Sequence, residues 1–110
     1  MAYNEGLAER IRSKLKSTRG LAEKKMFGGV GFLVNGNMAC GVQKQEMIVR
    51  LGDDEFEKAL KQKGVRVFEI GGRQASKGWI LVSAEVLGTE RALEGWIEKG
   101  VAFAKSLPKK

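Results

Sequence analysis

Apolar residues recur at helical spacing in the first segment of the chain, from residue 4 to about residue 16. Those that fall on one face of a helix are Leu7, Ala8, Ile11 and Leu15. Asn4 is a residue type that caps helix N-termini, and an acid such as Glu5 in the first turn suits the helix dipole. The pattern predicts an amphipathic helix that ends within residues 17–20.

Beyond Met26 the spacing of apolar residues changes from helical to alternating, which is typical of strands. Two apolar runs, residues 30–34 and 38–42, flank Asn35-Gly36. This dipeptide is a strong signal of a β-hairpin, because a type I′ turn needs positive φ at both central residues. A second turn at residues 43–45 leads into residues 47–51. We therefore predict three consecutive antiparallel strands.

The second half of the chain predicts a helix, two strands and a final helix. Acids at residues 53–55 open the first of these helices, and strands follow at residues 65–70 and 79–83. Thr89 caps the last helix, in which Trp96 and Ile97 are expected to anchor to the sheet. The order is αβββαββα. It predicts one α+β domain over residues 1–110, with helices packed on an antiparallel five-stranded sheet.

Composition limits the chemistry that this domain can carry. The 110 residues are 43% hydrophobic and 30% charged, as in a globular domain with one core. The sequence has no histidine and one cysteine, which excludes histidine-based triads, an internal disulfide and cysteine-cluster zinc sites. Cys40 lies in a predicted apolar strand and is expected to be a core residue. We predict no catalytic, cofactor-binding or metal-binding residue.

The sequence carries no segment typical of export or membrane insertion. Its first 20 residues are rich in Lys and Arg, and the longest uncharged stretch, residues 27–43, is interrupted by glycines. We expect a cytoplasmic protein with no membrane partner and no cofactor.

Basic residues exceed acidic ones by 20 to 13, which gives a net charge of +7. They dominate residues 10–25, 61–77 and 99–110, a distribution that would attract a polyanion. The candidate polyanion contacts are Arg10, Arg12, Lys14, Lys16, Lys24, Lys25, Arg73 and Lys77. Signals of a helix-turn-helix, a zinc finger or an RNA-recognition motif are absent, so nucleic-acid binding would be non-specific and salt-dependent. A solvated charged surface explains the same residues without a ligand.

Several short motifs are similar to those of one known family. They are Lys25-Met26-Phe27-Gly28-Gly29, Gly31-Phe32, Asn35-Gly36-Asn37-Met38, Arg50, Gly72-Arg73, Gly78-Trp79, Trp96-Ile97 and Leu107-Pro108. Through them the chain resembles the N-terminal domain of the TfoX/Sxy family over about residues 5–108. The motif positions to which we assign structural roles are Met26, Phe27, Gly28, Gly29, Gly31, Asn35, Gly36 and Trp96. We expect a bend at the start of the strand, with Phe27 buried and the glycines allowing close packing.

The resemblance implies the same α+β fold and a bacterial regulatory protein, and it associates no enzymatic residue with the motif. Two-domain members act as transcriptional co-activators with a cyclic-AMP receptor protein at competence promoters, and this sequence ends where their first domain ends. The leading hypothesis is a stand-alone accessory module that works through protein partners in transcription or competence regulation. A non-specific nucleic-acid-binding domain is the alternative, and an enzyme of unknown type comes last. A homodimer is left open.

Overall fold

The computed structural model describes residues 3–26, 28–70, 73–74 and 78–109, without the side chains of residues 26, 70, 73 and 74. The helices in this part of the chain are α1 (Glu5–Leu15), α2 (Asp53–Leu60) and α3 (Glu90–Ser106). The strands are β1 (Leu21–Met26), β2 (Gly29–Val34), β3 (Asn37–Gln43), β4 (Glu46–Arg50), β5 (Val65–Val67), β6 (Glu69–Ile70), β7 (Arg73–Gln74) and β8 (Trp79–Val82). The predicted α+β class is confirmed.

Six strands form one antiparallel sheet in the order β1-β2-β3-β4-β8-β5, and β6 pairs with β7 separately. The predicted sheet of five strands is therefore one strand short. The additional strand is β1, in which the side chains of residues 22–25 are all exposed, so that apolar and polar positions do not alternate. The strand predicted over residues 65–70 is also divided, because β5 ends at Val67 and β6 turns back to pair with β7.

The Asn35-Gly36 turn joins β2 to β3, with φ of 56° and 83° at its two residues. Both angles are positive, as a type I′ turn requires. The register then shifts, because Phe32 pairs with Cys40 whereas the next residue of β2 pairs with Met38. Ala39 is left as the extra residue of a β-bulge.

Helix α3 packs very closely on this bulge. A Cβ atom at Gly100 would collide with the backbone oxygen of Ala39. The helix begins with a side-chain cap, since Thr89 Oγ1 accepts a hydrogen bond of 3.1 Å from Ala92 N. Glycine at position 100 thus sets how near the longest helix comes to the centre of the sheet.

All three helices cover the same face of the sheet. Asn4 caps α1, and its Oδ1 accepts a hydrogen bond of 3.1 Å from Leu7 N. The core on this face includes Cys40 from β3 and Trp96 and Ile97 from α3. Burial raises the pKa of the Cys40 thiol to about 12, so it behaves there as a small apolar side chain.

On the opposite face of the sheet, part of the surface is covered by residues that follow β5. Phe68 is fully buried there against Met38, Ile48 and Leu81. Its ring stacks on Trp79 with centroids 6.1 Å apart. The sheet therefore has a large helix-covered face and a second face with a small apolar cluster.

Candidate interaction surface

Strand β1 forms one edge of the sheet, because it pairs with β2 alone. Just before the strand, Gly20 O accepts a hydrogen bond of 3.0 Å from Asn35 N. Antiparallel pairing alternates, so the N–H and C=O groups of Leu21, Glu23 and Lys25 point away from β2. No described backbone group bonds to them. The edge thus presents three free donors and three free acceptors in a row.

An ion pair fastens this edge strand to α1. The Arg12 guanidinium donates to Glu23 through Nε and Nη2, at 2.8 and 2.7 Å. It also lies over the ring of Phe32, 6.0 Å from the centroid, and contacts Glu9. The hydrogen bond between them raises the pKa of Arg12 and lowers the pKa of Glu23. The ion pair therefore links helix α1 to the middle of strand β1.

The other predicted polyanion contacts on α1 are also engaged inside the molecule. Arg10 pairs with Glu90 at 3.1 Å and donates to Leu87 O at 2.9 Å. Lys14 Nζ lies 2.9 Å from Glu94 and 3.3 Å from Glu90, and its hydrogen bond to Glu94 raises its pKa. A polyanion would have to compete with these carboxylates. The basic face of α1 thus attaches the helix to α3.

Four further cations lie in the α1–β1 connection and in the edge strand, two in each. They are exposed and form no ion pair with any described residue, and we call them the basic edge: Lys16, Arg19, Lys24 and Lys25. Sequence reasoning selected three of them and omitted Arg19. Arg73 lies in β7 with its side chain outside the described residues, as does the whole of Lys77.

The motif glycines lie where the backbone turns or strands come close. Gly28, with φ of 72°, forms the turn between β1 and β2. A Cβ atom at Gly29 would overlap Val42 O, and Gly31 is buried in β2. Met26 ends β1, and Phe27, which we expected to be buried, lies outside the described residues. The described part of the motif shapes the β1–β2 hairpin that carries Lys24 and Lys25 of the basic edge.

Arg50 occupies a position whose role the sequence did not show. Its guanidinium lies 5.8 Å from the ring centroid of Trp79 and 5.4 Å from that of Phe103. The pairing of β4 with β8 places Arg50 directly opposite Trp79, and Phe103 belongs to α3. Arg50 and Phe103 also line an open cleft of about 490 Å³, together with Asp53 and Asp54. Arg50 thus joins the end of α3 to the sheet through two cation–π contacts.

The described residues contain no group of three or more Cys, Asp or Glu side chains placed to hold a metal ion. None of the three described helices combines the length and the apolar character needed to cross a bilayer.

Comparison with protein families identifies the fold. The family model described as the TfoX N-terminal domain matches residues 13–104. The chain belongs to this family. The match begins within α1 and ends within α3, so this TfoX N-terminal domain includes the basic edge, the motif glycines and Arg50. Comparisons with curated proteins and with solved structures give no match.

Proposed function

We propose that this TfoX N-terminal domain is a regulatory module in transcription, linked to competence, which acts by binding a protein partner and not by catalysis. Family membership supports a regulatory role. The observation that carries the proposal is the basic edge beside the free backbone groups of β1. Among the described residues these groups have no internal partners, whereas the cations of α1 are paired with carboxylates.

The backbone groups favour a protein partner over a phosphate backbone. Phosphates need cations alone, and N–H donors that alternate with C=O acceptors match another peptide strand. At this edge the outward groups of Leu21, Glu23 and Lys25 supply both kinds. A protein segment can therefore use the backbone as well as the charges.

The test is assembly on a promoter. A labelled duplex is measured by fluorescence anisotropy, alone and with a cyclic-AMP receptor protein bound, while the domain is titrated. We expect the domain to bind the protein-bound duplex at concentrations at which it leaves the bare duplex free. The double variant Lys24→Glu/Lys25→Glu should weaken this binding. Equal affinity for both forms of the duplex, or no binding to either, would contradict the proposal.

A matched control separates the basic edge from the total charge. Lys61 and Lys63 are exposed and have no described ion pair, and they lie beyond α2. The variant Lys61→Glu/Lys63→Glu changes the net charge by the same amount. It should bind as the unmodified domain does, because only the basic edge is expected to contact the partner.

A non-specific nucleic-acid-binding domain is the second candidate, supported by the four unpaired cations of the basic edge. Each neutralised phosphate contributes about −0.9 to the slope of log K against log salt on duplex DNA. Four contacts predict a slope of about −3.6, shallower than the slope of about −6.3 that all seven basic residues between positions 10 and 25 would give. Binding to bare duplex with this slope, lost in Lys24→Glu/Lys25→Glu, would favour this function.

A further inference from the structure

We propose that the open edge of β1 binds an acidic, extended segment of the partner protein as an additional antiparallel strand. The inference rests on the proposed function and specifies the partner's chemistry. Strand β1 has six residues and spans about 20 Å, enough for a short peptide to pair along its length.

The edge is already in the conformation that such pairing requires. Leu21 packs against the core at one end of the strand, and the Arg12–Glu23 ion pair holds its middle. The opposite side of the strand is bonded to β2 throughout. Little ordering of β1 is needed on binding, which favours affinity.

The charges select the sequence of the added strand. Lys24 and Lys25 are consecutive, so their side chains point to opposite faces of the sheet. A segment with two consecutive acidic residues would place one carboxylate beside each lysine. Glu23 already accepts hydrogen bonds from Arg12, so its charge is balanced within the molecule.

The opposite edge of the sheet is a poorer acceptor. Strand β5 has three residues, and Val65 N donates to Gln62 O at 3.3 Å. In the flanking pairs, Phe68 N bonds to Trp79 O and Ser83 N to Gly64 O, so residues 65 and 67 point outward. One of their two outward donors is therefore already used. The side chain of Arg66, which lies between them in the strand, is paired with Glu46 of β4.

Lysines on an edge strand commonly prevent pairing with a like strand. Two copies of β1 side by side would place four lysines, Lys24 and Lys25 of each chain, along one pair of strands, which is repulsive. An acidic strand removes that repulsion. The same residues that disfavour a second copy of this chain therefore favour an acidic partner.

Amide hydrogen exchange tests the proposal on the full chain labelled with nitrogen-15. In the free protein the amides of Ala22 and Lys24 should exchange slowly and those of Leu21, Glu23 and Lys25 quickly. The probe is the blocked peptide Val-Thr-Glu-Glu-Val-Thr. At saturation it should slow exchange at the three outward amides by about tenfold or more. Binding that protects none of them would overturn strand addition.

Two controls distinguish backbone pairing from simple charge attraction. The peptide methylated on alternate backbone nitrogens keeps its charge and loses the donors, and it should not bind. The variant Lys24→Glu/Lys25→Glu should bind the original peptide with about tenfold lower affinity. The variant Lys61→Glu/Lys63→Glu should bind it with unchanged affinity. Equal binding of the methylated peptide would overturn the inference.

The outcome is separable from that of the proposed function. If no peptide binds at millimolar concentration while the domain still joins the receptor protein on its promoter, strand addition is wrong and the proposed function stands. If duplex DNA protects the same three amides, a nucleic acid and not an acidic segment occupies the edge.

Discussion

Three helices cover one face of the six-stranded sheet, where nineteen described side chains form a continuous core. On the other face four side chains are buried, namely Met38, Ile48, Phe68 and Leu81, with Trp79 half-buried beside them. The first face is built from helices distant in sequence. On the second, the described cover comes from Phe68, which directly follows β5.

This difference indicates where the molecule can change without unfolding. Burial stabilises roughly in proportion to apolar area, so most of the stability resides on the helix-covered face. The second face and the exposed positions of β1 contribute less. A binding surface at the β1 edge therefore lies outside the region that maintains the fold, and substitutions there can be interpreted as effects on binding.

The two tryptophans test this comparison most directly, because one lies on each face. Trp96 is buried in the helix-covered core, and Trp79 is partly exposed on the other face. We expect Trp96→Ala to lower the free energy of unfolding by about 3–5 kcal/mol and Trp79→Ala by about 1–2 kcal/mol. Urea unfolding followed by circular dichroism measures both. Equal losses would show that the second face stabilises the domain as much as the first.

Two glycines of α3 provide a matched pair within one helix. A Cβ atom at Gly100 would collide with Ala39 O, whereas at Gly95 it would meet no atom within 4 Å. Gly100→Ala should destabilise by about 1–3 kcal/mol because backbone must move. Gly95→Ala should stabilise by about 0.5–1 kcal/mol through helix propensity. If thermal unfolding shows both variants to be stabilised, α3 does not pack closely on the bulge.

The fold was largely predictable where periodicity was clear. The Asn35-Gly36 hairpin and helix α3 were predicted correctly. Apolar residues alternate in the strands of the hairpin, and they recur at helical spacing in α3. Strand β1 was not predicted, since an exposed edge strand needs no apolar alternation. The β6–β7 hairpin was not predicted either, because its strands have two residues each.

The candidate surface was only partly predictable. Sequence charge selected Lys16, Lys24 and Lys25, but it gave Arg10 and Lys14 the same weight. The difference between these groups depends on acids of α3 that lie about 80 residues away in sequence. The contact of Arg50 with Trp79 likewise depends on strand pairing, which composition does not encode. The charge pattern of the sequence locates the cations. Which of them have an ion-pair partner among the described residues depends on tertiary structure.

The ionisation of Cys40 tests whether water reaches the core of the helix-covered face. Burial raises its pKa from 9.0 to about 12, so the unfolded chain loses the thiol proton at a lower pH than the folded one. This contribution to stability is complete below pH 9 and is lost as the pH rises towards 12. Near pH 10 the free energy of unfolding of the unmodified protein should have fallen by about 1 kcal/mol more than that of Cys40→Ala. Urea unfolding at pH 7 and pH 10 measures the difference. A constant difference between the two proteins would mean that water reaches the thiol.

The smallest expected effect concerns the ion pair between α1 and β1. The side chains of Arg12 and Glu23 are 35% and 37% exposed, so solvent screens their attraction and Glu23→Gln should cost about 0.5 kcal/mol or less. The hydrogen bond from Arg12 lowers the pKa of Glu23, so this contribution is present above the ordinary value of 4.5 and is lost as the pH falls through the lowered value.

Glu57→Gln is the control, since Glu57 is exposed and forms no described ion pair. Unfolding at pH 7 and at pH 3 should show a difference between Glu23→Gln and the unmodified protein that shrinks in acid. No such change should occur for Glu57→Gln. If Glu23→Gln leaves stability nearly intact but weakens the acidic peptide, the ion pair serves mainly to hold the β1 edge in position. If Glu23→Gln instead causes a large loss of stability, the β1 edge contributes to maintaining the fold. That result would contradict the conclusion that the edge lies outside the region that maintains the fold.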